Sequence, residues 1–321
     1  MNRHGASRRL RDQDGLSVVE LMVAMAMGLF ILSSLAGLLL SSRASYSLQD
    51  QHAQVQETGR YALEVVARAI RQAGYRPLDH LAQASLLISD EETSVRGLDA
   101  RTLKKNTPAL EATTTGVVNG SDVLALRFAG DEVDGKGMMF NCAGFVVPAA
   151  LPDDEANGWS IFFVARDSAG EAELRCKYRT ASGWSADAIA RGVESFQVLY
   201  GLDIDGVQQP LRYLSASAID ALDAGLPAEH AAGAGTNETS HWRKVRAVRV
   251  ALLVGGSMQE KADETDRQYD LFGPDYADSQ AALDKGVRIK ENDLPAAMRH
   301  RLRVVFTQTI RLRNHPAGVA S

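Results

Sequence analysis

From Leu16 to Ser42 the chain is apolar apart from one charge, Glu20, and the next charge is Arg43. A helix of that length rises roughly 40 Å, enough to cross a hydrocarbon core of about 30 Å with some tilt. Beyond Arg43 the pattern changes. Leu48, Val55, Ala62, Val66, Ala69, Ile70 and Ala73 recur by sevens, fours and threes, which places them on one helical face. Gly74 and then Arg76-Pro77 supply a stop, because proline lacks the amide donor and disfavours helical geometry before it. The pattern predicts a single long helix over 16–76, apolar all round across 16–42 and amphipathic across 43–76.

After Pro77 the periodicity becomes that of strands. The runs "SDVLALRF", "GFVVPA", "WSIFFVARDSAGEAELRCKYRT", "VESFQVLYGLDIDG", "RKVRAVRVALLVGG" and "LRVVFTQTIRLRN" are rich in β-branched and aromatic residues and bounded by Gly, Asp and Pro. In the last run Leu302, Val304, Phe306, Ile310 and Leu312 fall on one face. Arg303, Thr307, Thr309, Arg311 and Arg313 fall on the other, which predicts one packed face and one wet face. "RDSAG" reads as a hairpin turn. Residues 222–241 are small, polar and Gly-rich, and residues 259–298 are acidic and loop-like, so both read as insertions or mobile connections. The fold class expected is α+β, with a long N-terminal α-helix packed on an antiparallel β-sheet domain over 77–321.

Charge adds direction to this layout. Arg3, Arg8, Arg9 and Arg11 precede the apolar run, and basic residues there favour a cytoplasmic N-terminus with the bulk of the chain across the membrane. A cleaved secretory signal fits poorly, since its apolar core spans 7–15 residues. A plain uncleaved anchor explains the length and leaves Glu20 unexplained, although a carboxylate near the bilayer interior costs about 2.5–3.5 kcal/mol on insertion scales. The net charge of -5, without a separate Lys/Arg block, gives no electrostatic support for nucleic-acid binding.

Gly15 followed by "LSVVELMVAMAMGLFIL" resembles the prepilin leader and mature N-terminus of type IV pilins. The resemblance implies a leader over 1–15, cut by a prepilin peptidase between Gly15 and Leu16, with Leu16 N-methylated and Glu20 fifth in the mature chain. It also implies that the Glu20 carboxylate meets the Leu16 ammonium of a neighbouring subunit. Opposite charges attract strongly in a medium of low dielectric, where each alone is poorly solvated. Farther on, "QETGRYALEVVARAIRQAGYRP", "GVESFQVLYGLDIDG", "WRKVRAVRVALLV" and "RVVFTQTIRLRN" resemble successive blocks of PilW-type minor pilins, with residues 78–121 and the two insertions outside the likeness.

Cys142 and Cys176 are the only cysteines. An even count in an extracytoplasmic domain permits a disulfide, worth about 3–4 kcal/mol for a loop of this size, against the alternative of two unbonded thiols. No Cys/His spacing for structural zinc is present. "GDEVDGKG", residues 130–137, has Gly and Lys at P-loop spacing, but Gly137 stands where a hydroxyl should hold magnesium and the acidic residues would repel phosphate. Asp203 and Asp205 in "LDIDG" could begin a calcium loop, yet the remaining EF-hand spacing is missing and a turn explains them. No catalytic motif is found, and no cofactor is expected.

These readings describe a non-catalytic minor pilin that helps initiate or cap a type IV pilus. Implied partners are other minor pilins, the major pilin, the prepilin peptidase and the inner-membrane assembly platform. The implied location is the bacterial inner membrane, single-pass with a periplasmic C-terminal domain, or the pilus tip. The alternatives are a type II secretion pseudopilin and a membrane-anchored adhesive or ligand-binding domain.

Overall fold

The computed structural model describes residues 15, 17–76, 93–133, 136–149, 158–204, 211–225, 240–259 and 266–314. The chain divides into two units, 1–50 and 51–321. Helix α1 runs from Val18 to Gln72. In the first unit its apolar side chains are exposed, among them Leu29, Phe30 and Leu38. The helix is long and apolar enough to cross a bilayer.

In the second unit the helical stripe becomes core. Val55, Ala62, Val66, Ala69, Ile70 and Ala73 are buried, as the periodicity predicts, and Ala67 joins them, whereas Leu48 of the same stripe, in the first unit, is exposed. Small residues let the helix lie close to the sheet. A Cβ at Gly59 would stand 2.3 Å from the Phe306 ring. The helix ends where the sequence stops it. Gly74 adopts φ +74, a conformation that glycine takes without penalty. The Asn314 side chain donates to the carbonyls of Arg71 and Ala73, both at 3.3 Å, so two orphan acceptors of the last turn are satisfied from the far end of the chain.

Two antiparallel sheets complete this unit. The first is a meander in which β1 (Val95–Leu98), β2 (Val123–Phe128), β3 (Gly158–Arg166), β4 (Ala172–Thr180) and β5 (Gly183–Arg191) pair in chain order. The predicted hairpin turn joins β3 to β4, with Asp167 accepting the amides of Ala169 and Glu171. The second sheet holds β6 (Val193–Leu202), β7 (Arg212–Leu214), β8 (Val245–Gln259) and β9 (Arg301–Arg311), in the order β7-β6-β8-β9. The main core joins Val66 and Ile70 of α1 to Leu124, Phe162, Phe196, Val250 and Leu252 of the two sheets. The layout is α+β, with a long N-terminal helix and antiparallel sheets.

Two expectations are corrected. The segment 259–298 is not a mobile connection where it is described, from 266 onward. It holds the ribbon Gln268–Asp270 with Arg288–Lys290, helix α3 (Pro274–Gln280) and two short 3-10 turns. Its Leu271, Ile289 and Leu294 pack on Ala251 and Leu253, so it covers the outer face of β8. The second correction follows from the first. Arg303 was expected on the wet face of β9, but the cover buries it completely. Its guanidinium binds Glu194 at 2.6 Å and Glu291 at 3.3 Å and donates to the Met298 carbonyl. Part of the other expected insertion, 222–241, is also ordered: helix α2 (Ala216–Ala224) runs into it, and residues 226–239 lie outside the described residues.

Candidate functional site

The N-terminal end of α1 is closed by its own side chains. Ser17 sits just before the first helical residue, and its Oγ accepts the Val19 amide at 3.3 Å. Glu20 reaches back so that its Oε2 accepts the Ser17 amide at 3.0 Å. This is a reciprocal cap of the S-x-x-E type, which satisfies two amides that the helix leaves without partners. Glu20 also lies in the first turn, where the helix dipole favours negative charge. The structure thus gives Glu20 local work that its reading as an isolated carboxylate overlooked. The signal was present as Ser17 three positions before Glu20. Gly15 is exposed, and a Cβ added there would meet nothing within 4 Å. Leu16 and the leader residues 1–14 lie outside the described residues.

A second feature lies beside the C-terminal half of α1. Cys142 and Cys176 form a disulfide with a Cα–Cα distance of 5.8 Å. The bond fastens a small hairpin, Met139–Phe140 with Val146–Val147, to β4. The Gln72 side chain donates to the Phe140 carbonyl at 3.1 Å and ties the hairpin to the helix. Between them opens a groove of about 900 Å³, lined by Tyr61, Val65, Arg68, Met138 and Phe140 among others. Phe145 and Val146 at the hairpin tip are exposed.

The other sequence candidates are dispersed. Asp203 follows β6 and donates its amide to the Lys244 carbonyl at 3.0 Å, while Asp205 lies outside the described residues. In the stretch 130–137, Glu132–Val133 pairs with Lys136–Gly137 as a small ribbon and does not lead into a helix as a phosphate loop would. Trp242 is buried and stacks edge-on with Tyr200, and Trp159 makes a similar contact with Trp184.

Residues 161–314 match the family model described as type IV pilus-assembly protein W. The match begins within β3 and takes in everything described from there to Asn314. No curated protein and no solved structure matches the chain.

Proposed function

From the match of residues 161–314 to the type IV pilus-assembly protein W family model, we propose that the chain is a minor pilin, a structural subunit that helps initiate or cap the pilus. The observation that carries the proposal is the single carboxylate of Glu20, held in the first turn of an exposed apolar helix. Cleavage after Gly15 would leave a free ammonium on Leu16, four residues before that carboxylate. An ion pair between Glu20 of one subunit and Leu16 of the next would give an incoming helix a reason to dock in one register, because either charge alone is poorly solvated in lipid. The apolar helix would anchor the subunit in the inner membrane until assembly, with the β-sheet unit on the periplasmic side presenting surfaces to other pilins. The work is non-catalytic in this reading.

The reciprocal cap sharpens the test. Glutamine can accept the Ser17 amide as glutamate does, so Glu20→Gln removes charge and keeps the cap, whereas Glu20→Ala removes both. Both variants should insert and be cleaved after Gly15, which N-terminal sequencing of the membrane form checks. Both should be depleted from sheared pili by about tenfold or more relative to their membrane level, the scale of one lost buried charge pair. A defect confined to Glu20→Ala would assign the residue to the cap alone. Normal incorporation of both would favour a membrane-anchored domain outside the filament.

A further inference from the structure

Three aspartates far apart in sequence converge at one place in the second unit. Asp99 follows β1, Asp122 precedes β2, and Asp284 follows α3; one carboxylate oxygen from each lies within 4.8 Å of the other two. Asp122 and Asp284 are buried. Two glycines seat them. Gly120 and Gly286, with φ +70 and +94, pack backbone to backbone so closely that a Cβ on Gly120 would stand 2.9 Å from Gly286. Gln197 bridges the same two segments, donating to the carbonyls of Gly120 and Lys285. The convergence is therefore a built feature of the fold.

The hydrogen bonds of the cluster leave its charge uncompensated. Asp99 accepts the amides of Ala216 and Ser217 at 2.9 and 2.7 Å, and Asp122 those of Ala100 and Val198 at 3.0 and 2.9 Å. Asp284 Oδ2 accepts the Tyr276 hydroxyl at 2.9 Å. All these donors are neutral. Among the described residues no Lys or Arg forms an ion pair with any of the three.

Two polar atoms point beyond the acidic cluster itself. Asp284 Oδ1 is sealed from solvent and has no hydrogen-bond partner among the described residues. The Tyr200 hydroxyl, from β6, is likewise sealed and without a partner there, on a side chain 1% exposed that lies in the field of Asp122 and Asp99. Buried polar groups usually find a partner, and these two stand among several such atoms in the described residues. A cation would take the free carboxylate oxygen of Asp284 directly. The donor set is oxygen only, without His or Cys, which suits a hard cation. Calcium accepts six to eight oxygens in adaptable geometry, whereas magnesium keeps most of its waters and requires a regular octahedron.

We propose that Asp99, Asp122 and Asp284 bind a hard divalent cation, calcium foremost, which fastens the 266–298 cover and the α2 cap to the first sheet. Carboxylate oxygens hold further lone pairs after accepting one amide each, so the existing hydrogen bonds are compatible with ligation. The site goes beyond the role in pilus assembly, and its test is independent of it.

The test uses the full-length protein in detergent after removal of metal with a chelator. Titration calorimetry with calcium should show one saturable ion per chain, with a Kd on the order of 10⁻⁴ to 10⁻³ M, as in extracellular calcium modules. Terbium emission sensitised by Tyr276 and Tyr200 should appear with the same stoichiometry and be displaced by calcium. Asp284→Asn should weaken calcium binding by about tenfold or more, and in the metal-free state it should unfold no earlier than the unsubstituted protein, since it removes repulsion. Asp122→Asn serves as the second variant. The proposal is overturned if the unsubstituted protein takes up no calcium, magnesium or manganese up to about 10 mM; the three acids then share protons instead. It is overturned equally if a folded Asp284→Asn or Asp122→Asn protein binds with unchanged stoichiometry and affinity.

Discussion

Replacing Arg303 by methionine is the sharpest test of how the second unit is held together. Its side chain is 0% exposed, and those of Glu194 and Glu291 are 3% and 4% exposed. One guanidinium serves both carboxylates, with Nε and Nη2 on Glu194 and Nη1 on Glu291, and Nη2 also donates to the Met298 carbonyl. Removing one member of a buried pair costs about 3–5 kcal/mol, because the other member stays buried without compensation. Here two carboxylates are abandoned, so the upper end of that range is expected. A domain of this size loses about 2–4 °C of Tm per kcal/mol, which converts the upper-end cost to roughly 10–20 °C. The triple variant Arg303→Met, Glu194→Met, Glu291→Gln removes all three charges and keeps an acceptor for the His300 amide that Glu291 now receives at 2.6 Å. It should lie within about 2 kcal/mol of the unsubstituted protein, since hydrophobic replacement of a buried ion network is often nearly neutral. Urea unfolding followed by tryptophan fluorescence measures both, and the cost of the single variant should persist in high salt, which screens surface pairs but not buried ones. A single-variant cost below about 1 kcal/mol, the scale of an exposed pair, would refute the reasoning, as would a triple variant no more stable than the single.

Two further predictions concern the first sheet. Replacing Cys142 and Cys176 by serine should lower stability by about 4 kcal/mol, the loop-closure value for a sequence separation of 34, and an unchanged urea midpoint would contradict it. Lys177, whose side chain is buried against Thr107, Pro108 and the Trp184 ring, is pushed down to about 8 by desolvation. Between that value and the ordinary lysine range the unfolded chain binds the extra proton, so stability should rise as pH is raised from about 8 toward 10. Lys177→Met should lack that rise relative to the unsubstituted protein, and parallel pH profiles for the two would exclude the assignment.

The elements most legible in sequence were those whose signal is local. The stripe from Val55 to Ala73 needed only a 3.6-residue period, and Gly74 announced its end. The alternation of β9 gave its inner face correctly. Arg303 was misplaced because its partners, Glu194 and Glu291, are distant neighbours brought to it by a cover whose apolar residues, Leu271, Ile289 and Leu294, are too scattered to show a period. Strands β1 and β5 were missed for a related reason: "VRGL" carries a glycine and "GWSADAIAR" is rich in small residues, so neither shows a strong strand signature. At the N-terminus, the charge of Glu20 drew attention from the cap that Ser17 forms with it. The convergence of Asp99, Asp122 and Asp284 had no local signature at all.

The bond between Cys142 and Cys176 also has a bearing on timing. It joins a hairpin to a strand with neighbours on both sides, β3 and β5, and so fixes that hairpin to the interior of the first sheet. Thiols close in this way only where an oxidant is at hand. The state of that one pair therefore acts as a stamp on each molecule, separating chains that finished maturing in an oxidising compartment from those that never reached one. If the proposed place in a pilus is right, reading that stamp on molecules recovered from membranes and from filaments would tell whether passage through that compartment is a condition for being incorporated.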